Sequence, residues 1–204
     1  SLIYRNANWG SQSCDGRQLY VLENMRLNLG GTSLSRNLNR FRRNMRRGED
    51  VADSWSYNQI VAYDLQTGQQ KWKIGGTQFD EPFDLPLAGT FFMGAPTPSD
   101  NELYIVGERD REIRLYALNP QTGEELWSQQ IGNPDQDIAQ DMVRRWWIAP
   151  VAIDQGVIVC PTTMGLVTAI DRLNHSVLWS TQYVTDGSNS SNQRFNRIRQ
   201  TSIE

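Results

Sequence analysis

Histidine, lysine and cysteine are almost missing from this sequence of 204 residues, which holds one His, two Cys and only two Lys, Lys71 and Lys73. With His175 as the sole imidazole, in a predicted hairpin turn, there is no His-based metal site or catalytic dyad to build. Cys14 and Cys160 stand far apart, match no metal-ligand spacing and make no disulfide framework. Cys160, within VIVCP, reads as a small buried apolar residue, and Cys14 lies beside a turn with no neighbouring base. No stretch approaches 18 uncharged apolar residues, so no transmembrane helix is expected. The opening SLIYRNANWG has neither the basic-then-apolar pattern of a signal peptide nor an initiator Met, which points to a processed or internal piece of a longer polypeptide. A net charge of −3 argues against nucleic acid as a partner.

What is abundant is aromatic and turn-forming. Seven Trp, seven Tyr, six Phe, sixteen Gly and eight Pro lean towards an all-β protein. Three segments then align without gaps over their most informative part: IVAYDLQTGQQKW ending at Trp72, RLYALNPQTGEELW at Trp127 and VTAIDRLNHSVLW at Trp179. Each reads as a strand, an Asp or Asn, a short turn and a second strand carrying Trp. In the first two copies Thr67-Gly68 and Thr122-Gly123 supply the turn, where Gly takes positive φ without steric cost. In the third, Leu173-Asn174-His175 replaces it, and Asn174 is expected to take that conformation. A further strand pair lies upstream of each hairpin: LIYRNANWG and QLYVLEN, TFFMGAPTP and ELYIVGE, WWIAPVAI and VIVCPTT. Four strands at a period of about fifty residues describe a β-propeller blade. The expected organisation is three four-stranded antiparallel blades over 1–76, 89–132 and 147–184, with an insertion at 26–55 and a polar tail or linker at 185–204. Helix is expected only in that insertion or in the blade-connecting loops.

The pattern (A/Y)-x-(D/N)-x-x-T-G-x-x-x-W resembles the PQQ-like propeller repeat. Blades of this kind occur in quinoprotein alcohol dehydrogenases, in the lipoprotein scaffold of outer-membrane protein assembly, and in large bacterial envelope proteins with no known catalysis. The resemblance covers roughly residues 1–184. It implies that the repeat Trp packs between neighbouring blades while Asp and Gly shape the hairpin. The matching positions are Asp64, Gly68 and Trp72, then Asn119, Gly123 and Trp127, then Asp171 and Trp179. The departures are Asn119 in place of Asp and the missing Thr-Gly in the third copy. Because known propellers start at about four blades, the remaining blades are expected from the same or another chain. The resemblance also implies a periplasmic or cell-envelope location.

Charge is distributed unevenly. Eighteen of the twenty basic residues are Arg, and seven fall between Arg26 and Arg47 with no acid among them. Within the first-blade insertion, Arg40, Arg42, Arg43, Arg46 and Arg47 occupy eight residues, interleaved with Phe41 and Met45. On a helix, Leu38, Phe41 and Met45 would line one side. Two readings stay open: a patch for an anionic partner, or a solvated loop whose charges meet Asp80, Glu81, Asp84, Asp135, Asp137 and Asp141 on the same face. Asp135 and Asp137 in NPDQD resemble a calcium loop only faintly, lacking its Gly and terminal Glu. Trp146-Trp147 is expected to begin a strand and pack in the core, the alternative being stacking on a sugar or base.

Two functional classes follow. One is a non-catalytic scaffold segment of a larger envelope protein, mediating protein-protein interaction or assembly. The other is part of a PQQ-dependent quinoprotein oxidoreductase. The resemblance gives such enzymes adjacent cysteines, calcium ligands and a basic Asp, none of which can be matched here, so no cofactor is evident; PQQ and calcium would enter only with the second class.

Overall fold

The computed structural model describes residues 11–23, 57–76 and 85–183. Residues 2–10, expected as the first strand, the insertion at 26–55 and the tail at 185–204 lie outside the described residues, and the strand that pairs with QLYVLE is Gln12–Cys14. The first sheet consists of β1 (Gln12–Cys14), β2 (Gln18–Glu23), β3 (Gln59–Asp64) and β4 (Gln70–Gly75). The second contains β5 (Phe91–Phe92), β6 (Thr97–Ser99), β7 (Glu102–Arg109), β8 (Glu112–Leu118) and β9 (Glu125–Gly132). The third contains β10 (Ala152–Asp154), β11 (Val157–Pro161), β12 (Leu166–Asp171) and β13 (Val177–Gln182). Every pairing is antiparallel, and all but β5 with β7 join strands consecutive in the chain. β5 and β6 both pair with β7, at Phe91↔Glu108 and Thr97↔Tyr104, so they are two pieces of one interrupted edge strand. The protein is therefore all-β, with three successive four-stranded sheets that form blades of a partial propeller.

Turn chemistry explains the strand order. Asp100-Asn101, Asp110-Arg111 and Gln155-Gly156 all have positive φ at both residues, the backbone that matches the right-handed twist of a tight hairpin. The third repeat hairpin departs from expectation: His175, not Asn174, carries the positive φ, at 57°. The reason lies in Asp171, whose Oδ1 accepts from the backbone N–H of both Leu173 and Asn174 at 2.8 Å. That cap holds those two residues, and the left-handed turn falls on the fourth position, where the other copies place Gly68 (φ 68°) and Gly123 (φ 75°).

Strand alternation divides each blade between two cores. Leu103 and Ile105 of β7, with Tyr116 and Leu118 of β8, join Tyr20, Ile60, Ala62, Trp72 and Ile74 of the first blade. On the opposite face Tyr104, Val106, Leu115 and Ala117 join Ile158, Cys160 and Ile170 of the third. Each fully buried large side chain contributes about 1.5–3 kcal/mol. The only helix among the described residues is α1 (Met142–Trp146), in the loop joining the second and third blades. No helix of the described residues is long and apolar enough to cross a membrane.

α1 also corrects the expectation for Trp146-Trp147. Neither begins a strand: Trp146 ends the helix, and Trp147 follows it with 57 % of its surface exposed. Asp141 caps the helix, its Oδ1 accepting from the N–H of Val143 and Arg144, which is what the local sequence dictates once Asp is read as an N-cap.

Candidate functional site: the blade junctions and the open third blade

The three repeat tryptophans occupy one register. Trp72 faces Ala62, Trp127 faces Ala117 and Trp179 faces Ala169. In each blade the ladder shifts immediately after that alanine. A small residue opposite an indole, followed by a bulge, lets the ring lie across the sheet instead of standing off it.

At the first junction the indole is enclosed. Trp72 is 8 % exposed, and its Nε1–H donates to the carbonyl of Pro120 at 2.8 Å. The Gln18 side chain donates to the same oxygen at 2.9 Å, so both lone pairs of one second-blade carbonyl are used by the first blade. Tyr20 packs beside the indole with ring centroids 5.8 Å apart. Asn58 closes the other end, donating to the Phe92 carbonyl at 2.9 Å and accepting from the Phe92 N–H at 2.8 Å.

At the second junction the same position is built differently. His175 stacks on Trp127 with centroids 4.0 Å apart and planes 15° from parallel, and Tyr104 meets the indole edge-on at 6.0 Å. Arg172 fastens this junction, donating from Nε to the Tyr104 hydroxyl at 2.8 Å and from Nη1 to Asp100 at 2.5 Å. The Tyr104 hydroxyl in turn donates to Glu102. Burial and then the Glu102 carboxylate push the Tyr104 hydroxyl up to about 12, so it stays a donor throughout the physiological range.

A buried ion pair that the sequence did not reveal anchors the loop between these blades. Glu108, 1 % exposed on β7, meets Arg144 of α1 at 2.6 Å, where the arginine side chain is 8 % exposed. Arg144 also donates to Asp141 at 3.1 Å and to the Gln136 carbonyl at 2.6 Å, and Glu108 accepts from the Ile138 N–H at 2.9 Å. Burial raises the Glu108 carboxyl above its ordinary value, with Arg144 offsetting part of that effect. Asp137 accepts from the Ala139 N–H at 2.8 Å. Asp137 and Asp141 thus serve the backbone of this loop. Among the described residues no group of three or more His, Cys, Asp or Glu side chains is gathered to hold a metal ion.

The third blade presents an open face. Trp179 stands where Trp72 and Trp127 stand, yet is 48 % exposed, so the expected burial of all three indoles holds for the first, partly for the second and not for the third. Every residue of β13 is exposed. Val159 and Val167, on the face corresponding to Tyr104 and Leu115, are only half-buried. The physical reason is that each indole is covered by the blade that follows, and no described residue follows β13 as a blade.

The remaining candidates are quickly placed. Asp64 and Asn119 shape their hairpins as Asp171 does: Asp64 Oδ1 accepts from the N–H of Gln66 and Thr67, and Asn119 Oδ1 from that of Gln121. Gly68 and Gly123 close the turns by donating to the Asp64 and Asn119 carbonyls at 2.8 Å. Arg40, Arg42, Arg43, Arg46 and Arg47 lie outside the described residues, as do Asp80, Glu81 and Asp84. Cys160 is buried, with its thiol pushed up to about 12 by that burial, and Cys14 is exposed.

Residues 48–203, well over half of the chain, match the family described as outer membrane protein assembly factor BamB. Among solved structures, BamB from Moraxella catarrhalis is similar at 16 % identity and a TM-score of 0.36, over 64 % of this chain and 34 % of that one. A europium-containing methanol dehydrogenase is similar at 14 % identity and a TM-score of 0.40, over 62 % and 30 %. The quinohemoprotein alcohol dehydrogenase ADHIIG from Pseudomonas putida HK5 is similar at 14 % identity and a TM-score of 0.39, over 62 % and 25 %. The chain thus spans a quarter to a third of the length of these relatives. No curated protein sequence matches it.

Proposed function

The chain belongs to the family of the outer membrane protein assembly factor BamB, and we propose that it acts as a non-catalytic propeller segment that holds a larger bacterial cell-envelope assembly together. One observation carries this reading. Trp179 shares the register of two indoles that each receive a following blade, yet half of its surface is exposed. The exposed indole lies on a strand that also exposes Val177 and Leu178, apolar surface of the kind that marks a protein interface. Its complement is a further propeller blade, from this polypeptide or from another, since three blades fall short of a closed ring.

The family resemblance favours the periplasm or cell envelope as the place of assembly. The scaffold reading needs only the surfaces already on the chain, whereas the quinoprotein alternative would bring in PQQ and calcium. The Arg-rich insertion fits this role as a second contact, one for an acidic partner.

A photoreactive benzophenone amino acid in place of Trp179, in the protein as its bacterium produces it, tests the reading. Crosslinks from position 179 to blade residues or to an envelope protein are expected. Their absence, together with calcium-dependent dye reduction after PQQ is added, would replace the scaffold with the oxidoreductase.

A further inference from the structure

The first and third blades each lack what the other carries. At the first junction the indole of Trp72 is covered by a turn of the next blade, Gln121-Thr122-Gly123. A Cβ on Gly123 would stand 2.6 Å from the ring, and the Pro120 carbonyl accepts from Trp72 Nε1–H at 2.8 Å. The first blade holds the same three residues, Gln66-Thr67-Gly68, in the same conformation. Gly68 has φ 68° against 75° at Gly123, and each donates to the carbonyl four residues before it at 2.8 Å. Yet nothing lies within 4 Å of a Cβ on Gly68, and Leu65, in the place of Pro120, is 48 % exposed. This turn covers no indole.

The third blade offers the converse. Trp179 faces Ala169 as Trp72 faces Ala62, but is 48 % exposed. The sheet faces behind these groups are matched as well. Leu103, Ile105 and Leu118 of the second blade are at most 2 % exposed where they pack on the first. Their counterparts on the first blade, Leu19, Val21 and Tyr63, are only half-buried. Val159 and Val167 of the third blade are half-buried too.

We propose that the Leu65–Gly68 turn of one copy of this chain docks on Trp179 of a second copy, repeating the first junction head to tail. The contact rests on the open face that the scaffold reading uses, and it names the surface that covers it. Trp179 Nε1–H then donates to the Leu65 carbonyl as Trp72 donates to that of Pro120, and Gly68 leaves room for the ring. The occupant is a second copy because this chain itself carries, unused, the turn that covers an indole elsewhere in it. Contacts between unlike surfaces form rings when the rotation closes. Two copies bring three blades each, which falls within the range of about four to eight blades in closed propellers.

Sedimentation equilibrium of the full chain with two variants tests the contact. Trp179→Glu removes the indole. Leu65→Glu combined with Gly68→Asn spoils the turn, while Asn keeps the left-handed backbone. Each variant alone should associate about thirtyfold more weakly than wild type, the loss of a central anchor. Mixed in equal amounts they should recover a one-to-one pair, because the mixture retains one intact turn and one intact indole. A contact of Trp179 with Trp179 predicts no effect of the turn variant and no recovery on mixing, and either result overturns the proposal. Association lost in Trp179→Glu alone would then leave the scaffold reading standing, whereas association unchanged in both variants removes both readings. A wild type that does not associate also overturns the proposal. If the turn variant fails to fold, a benzophenone amino acid at position 179 decides. In a mixture of isotope-labelled and unlabelled chains, its crosslinks should run between copies and map to residues 65–69; crosslinks between copies that map elsewhere overturn the contact.

Discussion

Gly123 lies directly on the indole of Trp72: a Cβ placed on that glycine would fall 2.6 Å from Cε3 and 2.9 Å from Cδ2. The glycine of one blade is thus the lid on the tryptophan of the blade before it, which gives the Thr-Gly turn a packing role beyond its backbone conformation.

Gly123→Ala is therefore expected to destabilise the chain by about 2–4 kcal/mol, combining strain at φ 75° with overpacking. Gly68 has the same conformation at φ 68° but open space around it, so Gly68→Ala should cost only about 1 kcal/mol. Urea unfolding of both variants checks the difference; equal losses would assign the whole effect to the backbone.

The Glu108–Arg144 pair yields an asymmetric prediction. Removing one partner strands a buried charge, so Glu108→Ala or Arg144→Ala should each cost about 3–5 kcal/mol. Replacing both by apolar residues of similar volume, Glu108→Leu with Arg144→Met, should restore stability close to wild type. A double variant as unstable as the singles would mean that the contacts to Gln136 and Ile138, not the charges, hold the loop.

Much of this architecture is legible in the sequence, for a physical reason: strand alternation and the Asp-to-Trp turn repeat three times, and repetition raises a local signal above noise. The repeat also hid something. The third copy puts His175 where the others have Gly, and aligning by position would have assigned it the left-handed turn, but Asn is the more familiar left-handed residue. Glu108 and Arg144 are 36 residues apart, on a strand and a helix that share no period. The one local clue was a Glu two residues past the run of apolar residues in ELYIV. Asp141 was readable as a helix cap, but the adjacent tryptophans drew that segment towards a strand.

Acid should reveal the hairpin cap. Hydrogen bonds from the Thr67 N–H and hydroxyl hold the Asp64 carboxyl below its ordinary 3.8. A folded-state value below the unfolded one means that its stabilisation is present above about pH 3.8 and is lost as pH falls through the folded value. Asp64→Asn should therefore be less stable than wild type near neutrality, and the gap should close below pH 3.8. A gap independent of pH would show that the charged form is not what caps the turn.

Thiol chemistry should separate the two cysteines. The thiolate is the reactive form, and burial pushes Cys160 up to about 12, whereas Cys14 is exposed. Iodoacetamide is expected to label Cys14 in the native protein and Cys160 only after denaturation. Native labelling of Cys160 would mean that the second junction opens readily.

Sedimentation equilibrium of the chain beside Trp179→Glu tests the open face of the third blade most directly. Wild type should associate with rising concentration, because the indole and its apolar neighbours seek the cover that Trp72 and Trp127 receive. The charged variant should sediment as a folded monomer. A wild type that stays monomeric at tens of micromolar, with cooperative unfolding unchanged by Trp179→Glu, would contradict the account.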